Sequence, residues 1–205
     1  MDLPLENLFV WLDIGGLSVF AASGALVAAR KRLDFIAAWF FALITAVGGG
    51  TIRDVMIDAP VFWMHDAAPV VLCGVIAALA WAVPLRWWPE RALEWLDAAG
   101  LAAYSVYGAG KALDWGVAPV PAVAAGVITA CVGGVIRDVT AGVPSVLLRH
   151  ELYITTSLAA AAIFVVLTTL GLQLPLPSAL AFTTGFALRC AAIRWRLALP
   201  PHRGH

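Results

Sequence analysis

Long apolar stretches alternate with short polar breaks along the whole chain, and this pattern predicts helices that cross a membrane. Each stretch is close to the roughly 20 residues that a membrane-spanning helix needs. The breaks carry charges and prolines, as at Arg30–Arg32 and Asp58–Pro60, which are typical helix ends. The stretches run over Leu8–Ala29, Phe35–Ile57, Ala67–Trp87, Leu93–Leu113, Val120–Ala141, Leu152–Leu170 and Ser178–Ile193. We therefore predict an all-α polytopic membrane protein with seven transmembrane helices.

The composition supports lipid as the main solvent of this chain. Hydrophobic residues make up 62% of its 205 residues, the mean hydropathy is +0.90, and only 13% of residues are charged. A soluble domain averages about 25% charged residues. A chain of this length could not hide so much apolar surface in one core. We expect membrane lipid around it and no nucleic acid as a partner.

Charged residues in the breaks predict an orientation. When the breaks are assigned to alternate sides, one side collects nearly all of the arginines and the other collects mainly aspartates. Basic loops stay cytoplasmic, so the N-terminus is predicted outside and the C-terminus inside. The basic side holds Arg30, Lys31, Arg32, Arg86, Arg91, Arg149, Arg194, Arg196 and Arg203; the other holds Asp2, Glu6, Asp58, Asp66 and Asp114.

One motif occurs twice at a constant spacing of 84 residues. GGGTIRDV at Gly48–Val55 returns as VGGVIRDV at Val132–Val139, and LDIGG at Leu12–Gly16 returns as LDAAG at Leu96–Gly100. We predict a single membrane domain, 1–205, built from a first three-helix repeat over 8–88, a second over 93–171, and an added seventh helix over 177–196. Because each repeat has an odd number of spans, the second copy should be inverted in the membrane.

The repeated glycines suggest two different roles. A run of glycines should kink or unwind a helix, and irregular backbone at this depth is tolerated along a water-filled cavity. Free carbonyls and the hydroxyls of nearby threonines could then coordinate a cation. The alternative is that the glycines simply allow close helix packing. The candidate residues are Gly48, Gly49, Gly50, Gly133 and Gly134, with Thr45, Thr51 and Thr129.

Each glycine run is followed by an Arg-Asp pair, Arg53–Asp54 and Arg137–Asp138, which we expect at opposite mouths of a path. Neighbours in sequence do not face each other on a helix, so each arginine needs another partner. The repeat-related Asp13 and Asp97 lie at suitable depths, and we predict the ion pairs Asp13–Arg53 and Asp97–Arg137. The alternative is that these charges reach the headgroups by snorkelling.

Lys111 breaks the symmetry, because Val27 is its counterpart in the first repeat. It is either a charge in the pore or an ordinary lysine at a helix end. Both interpretations fit its position near the end of the fourth stretch.

Through GGGTIRD, GGVIRD and the two three-span units with a seventh span, the chain resembles the prokaryotic TRIC family of trimeric intracellular cation channels. Proteins with this double repeat also carry a glycine-transporter label. The resemblance covers roughly Leu8 to Arg196. It implies a homotrimer in a prokaryotic plasma membrane, with one hourglass pore per subunit lined by the second and fifth spans. It also implies conduction of monovalent cations, potassium before sodium.

Two functions therefore remain open: a potassium-preferring cation channel, and a secondary transporter of glycine or another small neutral amino acid. Inverted repeats with broken helices are typical of transporters as well. In the channel, Asp54 and Asp138 would concentrate cations at the mouths. We expect no enzyme, cofactor or metal site, since no nucleophile lies near a base and no cluster has metal-ligand spacing.

Overall fold

The computed structural model describes residues 7–148 and 152–198, and every regular element in these ranges is helical. Four charges used for the predicted orientation, Asp2, Glu6, Arg149 and Arg203, lie outside the described residues. The helices are α1 (Asn7–Arg30), α2 (Phe35–Met56), α3 (Phe62–His65), α4 (Ala68–Ala82), α5 (Ala92–Asp114), α6 (Pro119–Thr140), α7 (Ile154–Thr169) and α8 (Leu176–Trp195), with 3₁₀ turns at Leu85–Trp87 and Val146–Leu148.

The predicted breaks act as helix ends for identifiable reasons. The Asp34 side chain caps α2 by accepting the Ala37 backbone N–H at 2.8 Å. Pro119 opens α6 at the position where a missing N–H costs nothing. Gly142, with a φ of +63°, provides the left-handed residue that follows α6.

The helices follow the 84-residue spacing closely. Adding 84 to the bounds of α2, Phe35–Met56, gives Pro119–Thr140, which are the bounds of α6. The same shift carries α1 onto α5, α4 onto α7, and the short α3 onto the 3₁₀ turn at Val146–Leu148. The repeat in the sequence is therefore a repeat of helices.

Four helices form the centre of the fold. The first pair, α1 and α2, packs together as α5 and α6 do, and the two pairs meet through α1 on α5 and α2 on α6. On the outside, α4 covers α1 and α2, and α7 covers α5 and α6 in the same way. The added helix α8 packs on α5 and α7.

The fold is all-helical and of membrane type, but not all seven predicted stretches become equally long apolar helices. Within the described residues, four helices are long and apolar enough to cross a membrane: α1 over Phe9–Arg30, then α2, α6 and α8. The fourth stretch, α5, has the length but carries four charges: Glu94, Asp97, Lys111 and Asp114.

The third stretch is shorter than predicted. The chain is extended at Val83 because the next residue is Pro84, and α4 ends at Ala82 instead of reaching Trp87. At 1.5 Å per residue, the 15 residues of α4 span about 22 Å and the 16 residues of α7 about 24 Å. Both are shorter than the hydrocarbon core of about 30 Å.

Candidate functional site

The repeated glycines lie where α2 and α6 cross. Gly49 faces the backbone carbonyl oxygen of Thr129, and Gly133 faces that of Thr45, so closely that a Cβ at either position would overlap the oxygen. The two contacts are related by the repeat. Both helices continue through their glycines without interruption. The backbone is therefore not unwound at the glycines, which allow the two helices to touch, and a kink at these positions stays a prediction.

The other glycines of the two motifs also face packed side chains. A Cβ at Gly48 would lie 2.8 Å from a methyl carbon of Ile136, and one at Gly50 would lie 2.9 Å from the Phe62 ring. Gly134 has more room, with the Tyr153 hydroxyl 3.3 Å from the same point. These positions fit the close-packing alternative of the sequence analysis.

The threonines at the crossing bond to their own helices. Thr45 donates its hydroxyl to the Phe41 carbonyl and Thr129 to the Ala125 carbonyl, both at 2.6 Å. Both side chains are buried. Thr51 donates to a carbonyl one turn earlier and accepts the indole N–H of Trp63 at 2.9 Å. Thr45 and Thr129 thus bond within α2 and α6, and only Thr51 joins two helices, α2 and α3.

The first arginine centre consists of Arg53, Asp54 and Lys111. Arg53 Nε and Nη2 donate to Asp54 Oδ1 at 2.9 and 2.8 Å, so the adjacent residues do pair. The prediction that they point apart is wrong, because the long arginine side chain folds back onto its neighbour. Lys111 Nζ lies 2.9 Å from Asp54 Oδ1 and 3.1 Å from Oδ2, and the Phe62 N–H also donates to Oδ2.

The second arginine centre consists of Arg137, Asp138, Asp97 and Ser23. Arg137 Nε donates to Asp138 Oδ1 at 2.9 Å, as in the first centre. Asp97 binds the same guanidinium with both oxygens, at 2.6 Å to Nη1 and 2.8 Å to Nη2, and Ser23 Oγ accepts from Nη1 at 2.9 Å. The Val146 N–H caps Asp138 Oδ2 at 3.1 Å, which matches Phe62 in the first centre. The predicted ion pair Asp97–Arg137 is present.

The ion pair predicted between Asp13 and Arg53 is not formed within the described residues. Asp13 is half-buried and lies in the electrostatic field of Arg53, but no hydrogen bond joins their side chains. Arg53 is 1% exposed, and its Nη1 has no hydrogen-bond partner. The counterpart of Ser23 is Tyr107, whose ring lies against the guanidinium, 5.4 Å from centroid to Cζ. The two centres thus differ where the sequences of the repeats differ.

An open cleft of about 330 Å³ lies between the N-terminal part of α1 and the C-terminal part of α5, beside the first arginine centre. Asp13 and the exposed Asp114 both lie on its wall, and neither carboxylate has an ion-pair partner among the described residues. Lys111 also reaches the cleft, but its ammonium is held by Asp54. The cleft is lined by Phe9, Val10, Asp13, Tyr107, Lys111 and Asp114.

Several buried polar residues were not singled out by sequence reasoning. Arg189 on α8 is 1% exposed, packs over the Tyr153 ring at 5.2 Å and donates to the Leu152 carbonyl. A charge inside an apolar stretch is itself a functional signal, and that rule would have found it. The hydroxyls of Ser105 and Ser157 bond to each other at 2.6 Å between α5 and α7.

The arrangement neutralises charges inside the protein and leaves others at the cleft. The arginine of each centre is buried against a carboxylate, as expected for charges at membrane depth. Asp13 and Asp114 keep their carboxylates at the open cleft. In the part of the chain that the structure describes, no group of histidine, cysteine and acidic side chains could hold a metal ion.

Comparison with known proteins finds the same twofold repeat and identifies the family of the chain. A family model described as "Glycine transporter" matches the chain twice, over residues 10–84 and 94–169. The UPF0126 inner membrane protein YadS of Escherichia coli K12 is 39% identical over 199 residues, which cover 94% of this chain and 95% of that protein. A UPF0126 membrane protein of Vibrio cholerae is 37% identical, and the match covers 95% of this chain and 82% of that protein.

Solved structures match over nearly the whole chain. The TRIC trimeric intracellular cation channel orthologue from Rhodobacter sphaeroides is 41% identical with a TM-score of 0.87, covering 93% of this chain and all of that one. A prokaryotic TRIC channel crystallised in 0.5 M KCl is 26% identical with a TM-score of 0.86, covering 95% of this chain and 100% of the other. The chain therefore belongs to the UPF0126 family of membrane proteins, it matches the glycine-transporter family model in both repeats, and it is a relative of the prokaryotic TRIC cation channels.

Proposed function

We propose that this protein is a homotrimeric channel for monovalent cations, with potassium preferred, sodium also conducted and one path in each subunit. The match at 41% identity to a trimeric intracellular cation channel orthologue carries this proposal. The two arginine centres are consistent with it, because together they contain three cationic side chains and three carboxylates and so carry no net positive charge. A protein of this kind conducts ions and is not an enzyme.

The path should run beside the crossing of α2 and α6 and not through it. Gly49 and Gly133 leave no room for a methyl group between the helices, so no ion can pass at that point. The cleft between α1 and α5 offers one entrance, with the first arginine centre behind it. The hourglass pore lined by α2 and α6 is thus proposed on the sides of these helices that adjoin the two centres.

The cation-attracting charges are proposed to be Asp13 and Asp114. Asp54 and Asp138 were the predicted residues for this role, but both are buried and bonded to arginines. A carboxylate already paired with a guanidinium adds little to the field in the cleft. Low-dielectric walls strengthen the field of the remaining carboxylates and raise the local cation concentration.

The membrane arrangement is proposed to have seven spans, with the N-terminus outside, the C-terminus in the cytoplasm, and inverted repeats over 8–88 and 93–171. The short α4 and α7 would complete their spans with the segments that flank them. The inner, or plasma, membrane of a prokaryotic cell is the proposed location, and lipid would surround the trimer. The name of the Escherichia coli relative, an inner membrane protein, supports this location.

A carrier for glycine or another small neutral amino acid is the second candidate. The description of the matching family model supports it, as does the twofold repeat, which is common among secondary transporters. The uninterrupted α2 and α6 weaken it, because broken helices normally form the substrate site of such carriers.

Recording from purified protein in a planar bilayer under a potassium chloride gradient tests the two functions. A channel should give unitary currents that reverse near the potassium equilibrium potential and do not change with added glycine. The absence of unitary current, together with saturable glycine uptake into liposomes, would replace the channel with the carrier.

The role of the cleft charges is tested in the same recordings. Combined Asp13→Asn and Asp114→Asn substitutions should lower conductance severalfold at about 20 mM salt and little at 1 M, where the field is screened within about 3 Å. Asp66→Asn, which removes an exposed carboxylate away from this cleft, is the matched control. Equal losses at both salt concentrations would contradict the electrostatic role.

A further inference from the structure

The unused donor of the first arginine centre lies close to Asp13, a carboxylate that forms no ion pair within the described residues. Arg53 Nη1 is buried and makes no hydrogen bond, while its counterpart on Arg137 is bonded to both Asp97 and Ser23. Burial without a bond is costly for a charged donor. The residue that would bind it by symmetry is Asp13, which is already in the electrostatic field of Arg53.

The position of Asp13 connects this unused donor to the cleft. Asp13 is on α1 and lies on one wall of the cleft, while Tyr107, Lys111 and Asp114 of α5 form the opposite wall. Arg53 lies behind the Tyr107 ring. A movement of α1 that brings Asp13 onto Arg53 also carries this wall toward α5 and narrows the cleft.

We propose that Asp13 and Arg53 form a reversible latch, which closes the cleft between α1 and α5 when the ion pair forms and opens it when the pair breaks. The present structure is the unlatched state. Arg53 stays bonded to Asp54 through Nε and Nη2 in both states, so only Nη1 changes its partner. If the proposed channel function holds, the latch gates one entrance of the path.

The second arginine centre explains why only one latch exists. Arg137 is bonded at all three nitrogens, and Asp97 is 2% exposed and held by two short bonds. Ser23 bonds to the guanidinium from the side, where the first centre has the Tyr107 ring. The second centre is a permanent clamp, and the corresponding end of the helices is not expected to move.

Thiol accessibility tests the latch without any need for current. The reporter is Asp114→Cys, on the cleft wall, in a background with Cys190→Ser; the other two cysteines, Cys73 and Cys131, are buried. The protein is reconstituted in liposomes and reacted with a neutral maleimide. Rates are compared on the plateau at high pH, where the reporter thiol is fully ionised, so that a changed charge nearby does not alter the reactive fraction.

Asp13→Asn should raise the plateau rate about threefold, which corresponds to a latch that is closed about two-thirds of the time. Asp13→Glu keeps the carboxylate and should react at the rate of the unchanged protein. The control Asp66→Asn should have no effect. A rate unchanged by Asp13→Asn, or one raised equally by Asp13→Glu, would overturn the latch.

Unitary recordings then separate the latch from the channel. Asp13→Asn should lengthen the open dwell time by a similar factor if the protein is a channel. Faster labelling in a protein that passes no current would support the latch and refute the channel, while normal currents with unchanged labelling would do the reverse.

Discussion

The two arginine centres share one backbone motif and differ in how completely the arginine is held. In the second centre, Arg137 is bonded by Asp138, Asp97 and Ser23, and every nitrogen of its guanidinium has a partner. In the first centre, Arg53 is bonded only by Asp54 and leaves Nη1 unused.

The difference comes from two substitutions between the repeats. Where the second centre has Ser23, the first centre has the repeat-related Tyr107, whose ring cannot accept a hydrogen bond in the same place. The counterpart of Val27 is Lys111, which binds Asp54 in the first centre. Neither change alters the helices themselves. Duplication supplies two equal scaffolds, and a few side chains make one of them rigid and the other adjustable.

The largest effect is expected from removing the arginine of the second centre. Arg137→Gln leaves Asp97 and Asp138 buried without a countercharge and should destabilise the protein by about 3–5 kcal/mol. Arg53→Gln should cost less, about 1–3 kcal/mol, because Lys111 stays on Asp54. Thermal unfolding in detergent measures both. Equal losses in the two variants would remove the distinction between the centres.

At the crossing of α2 and α6, unlike at the arginine centres, equivalent substitutions in the two repeats should lower the stability equally. Gly49→Ala and Gly133→Ala each place a methyl group on a backbone oxygen and should cost about 1–3 kcal/mol each. Gly15→Ala is the control, since nothing lies within 4 Å of its Cβ position, and it should stabilise α1 by up to about 1 kcal/mol. A neutral Gly49→Ala, measured by the same unfolding assay, would show that the helices do not touch there.

Lys111→Val introduces the residue that the first repeat has at this position, Val27, and so makes the first arginine centre more like the second. Asp54 keeps Arg53 and the Phe62 N–H, so the loss should be about 1–2 kcal/mol, well below that for Arg137→Gln and no larger than that for Arg53→Gln. Unfolding curves for Lys111→Val, Arg53→Gln and the double variant measure the coupling. Additive losses would mean that the lysine and the arginine do not share Asp54.

The smallest effect concerns the buried pair Ser105–Ser157, whose counterparts in the first repeat are Ala21 and Cys73. Ser105→Ala alone leaves the other hydroxyl without this partner and should cost about 1 kcal/mol. Adding Ser157→Cys recreates the apolar pair of the first repeat and should recover most of the loss. The unfolding temperatures of the single and double variants decide this, and a further loss in the double variant would contradict it.

Much of the scaffold is readable in the sequence because lipid imposes simple rules. Apolar stretches of membrane length became α1, α2, α6 and α8, and the 84-residue spacing carried the bounds of α2 onto those of α6. The pairing of Asp97 with Arg137 also followed from depth and repeat symmetry. Such features depend on periodicity and on the cost of an unpaired charge, which are visible without coordinates.

Other features depend on the surface that a residue meets, and the sequence does not contain that surface. Three consecutive glycines predict a weak helix in isolation, but the touching backbone of α6 keeps α2 continuous. The rule that neighbours face apart describes the directions of Cβ atoms, and a flexible arginine can turn back onto Asp54. Asp13 does not form the predicted ion pair with Arg53 because the ring of Tyr107 lies against the guanidinium.

The pairing of adjacent residues in Arg53–Asp54 also has a consequence for the order of synthesis. The chain leaves the ribosome from its N-terminus, so α1, α2 and α5 can enter the bilayer before α6 has been synthesised. Arg53 then carries its own counterion, the next residue in the chain, into lipid. When Arg137 follows, Ser23 and Asp97 have already been made. At every stage of insertion, each arginine therefore has a carboxylate that was made before it or that is the next residue in the chain.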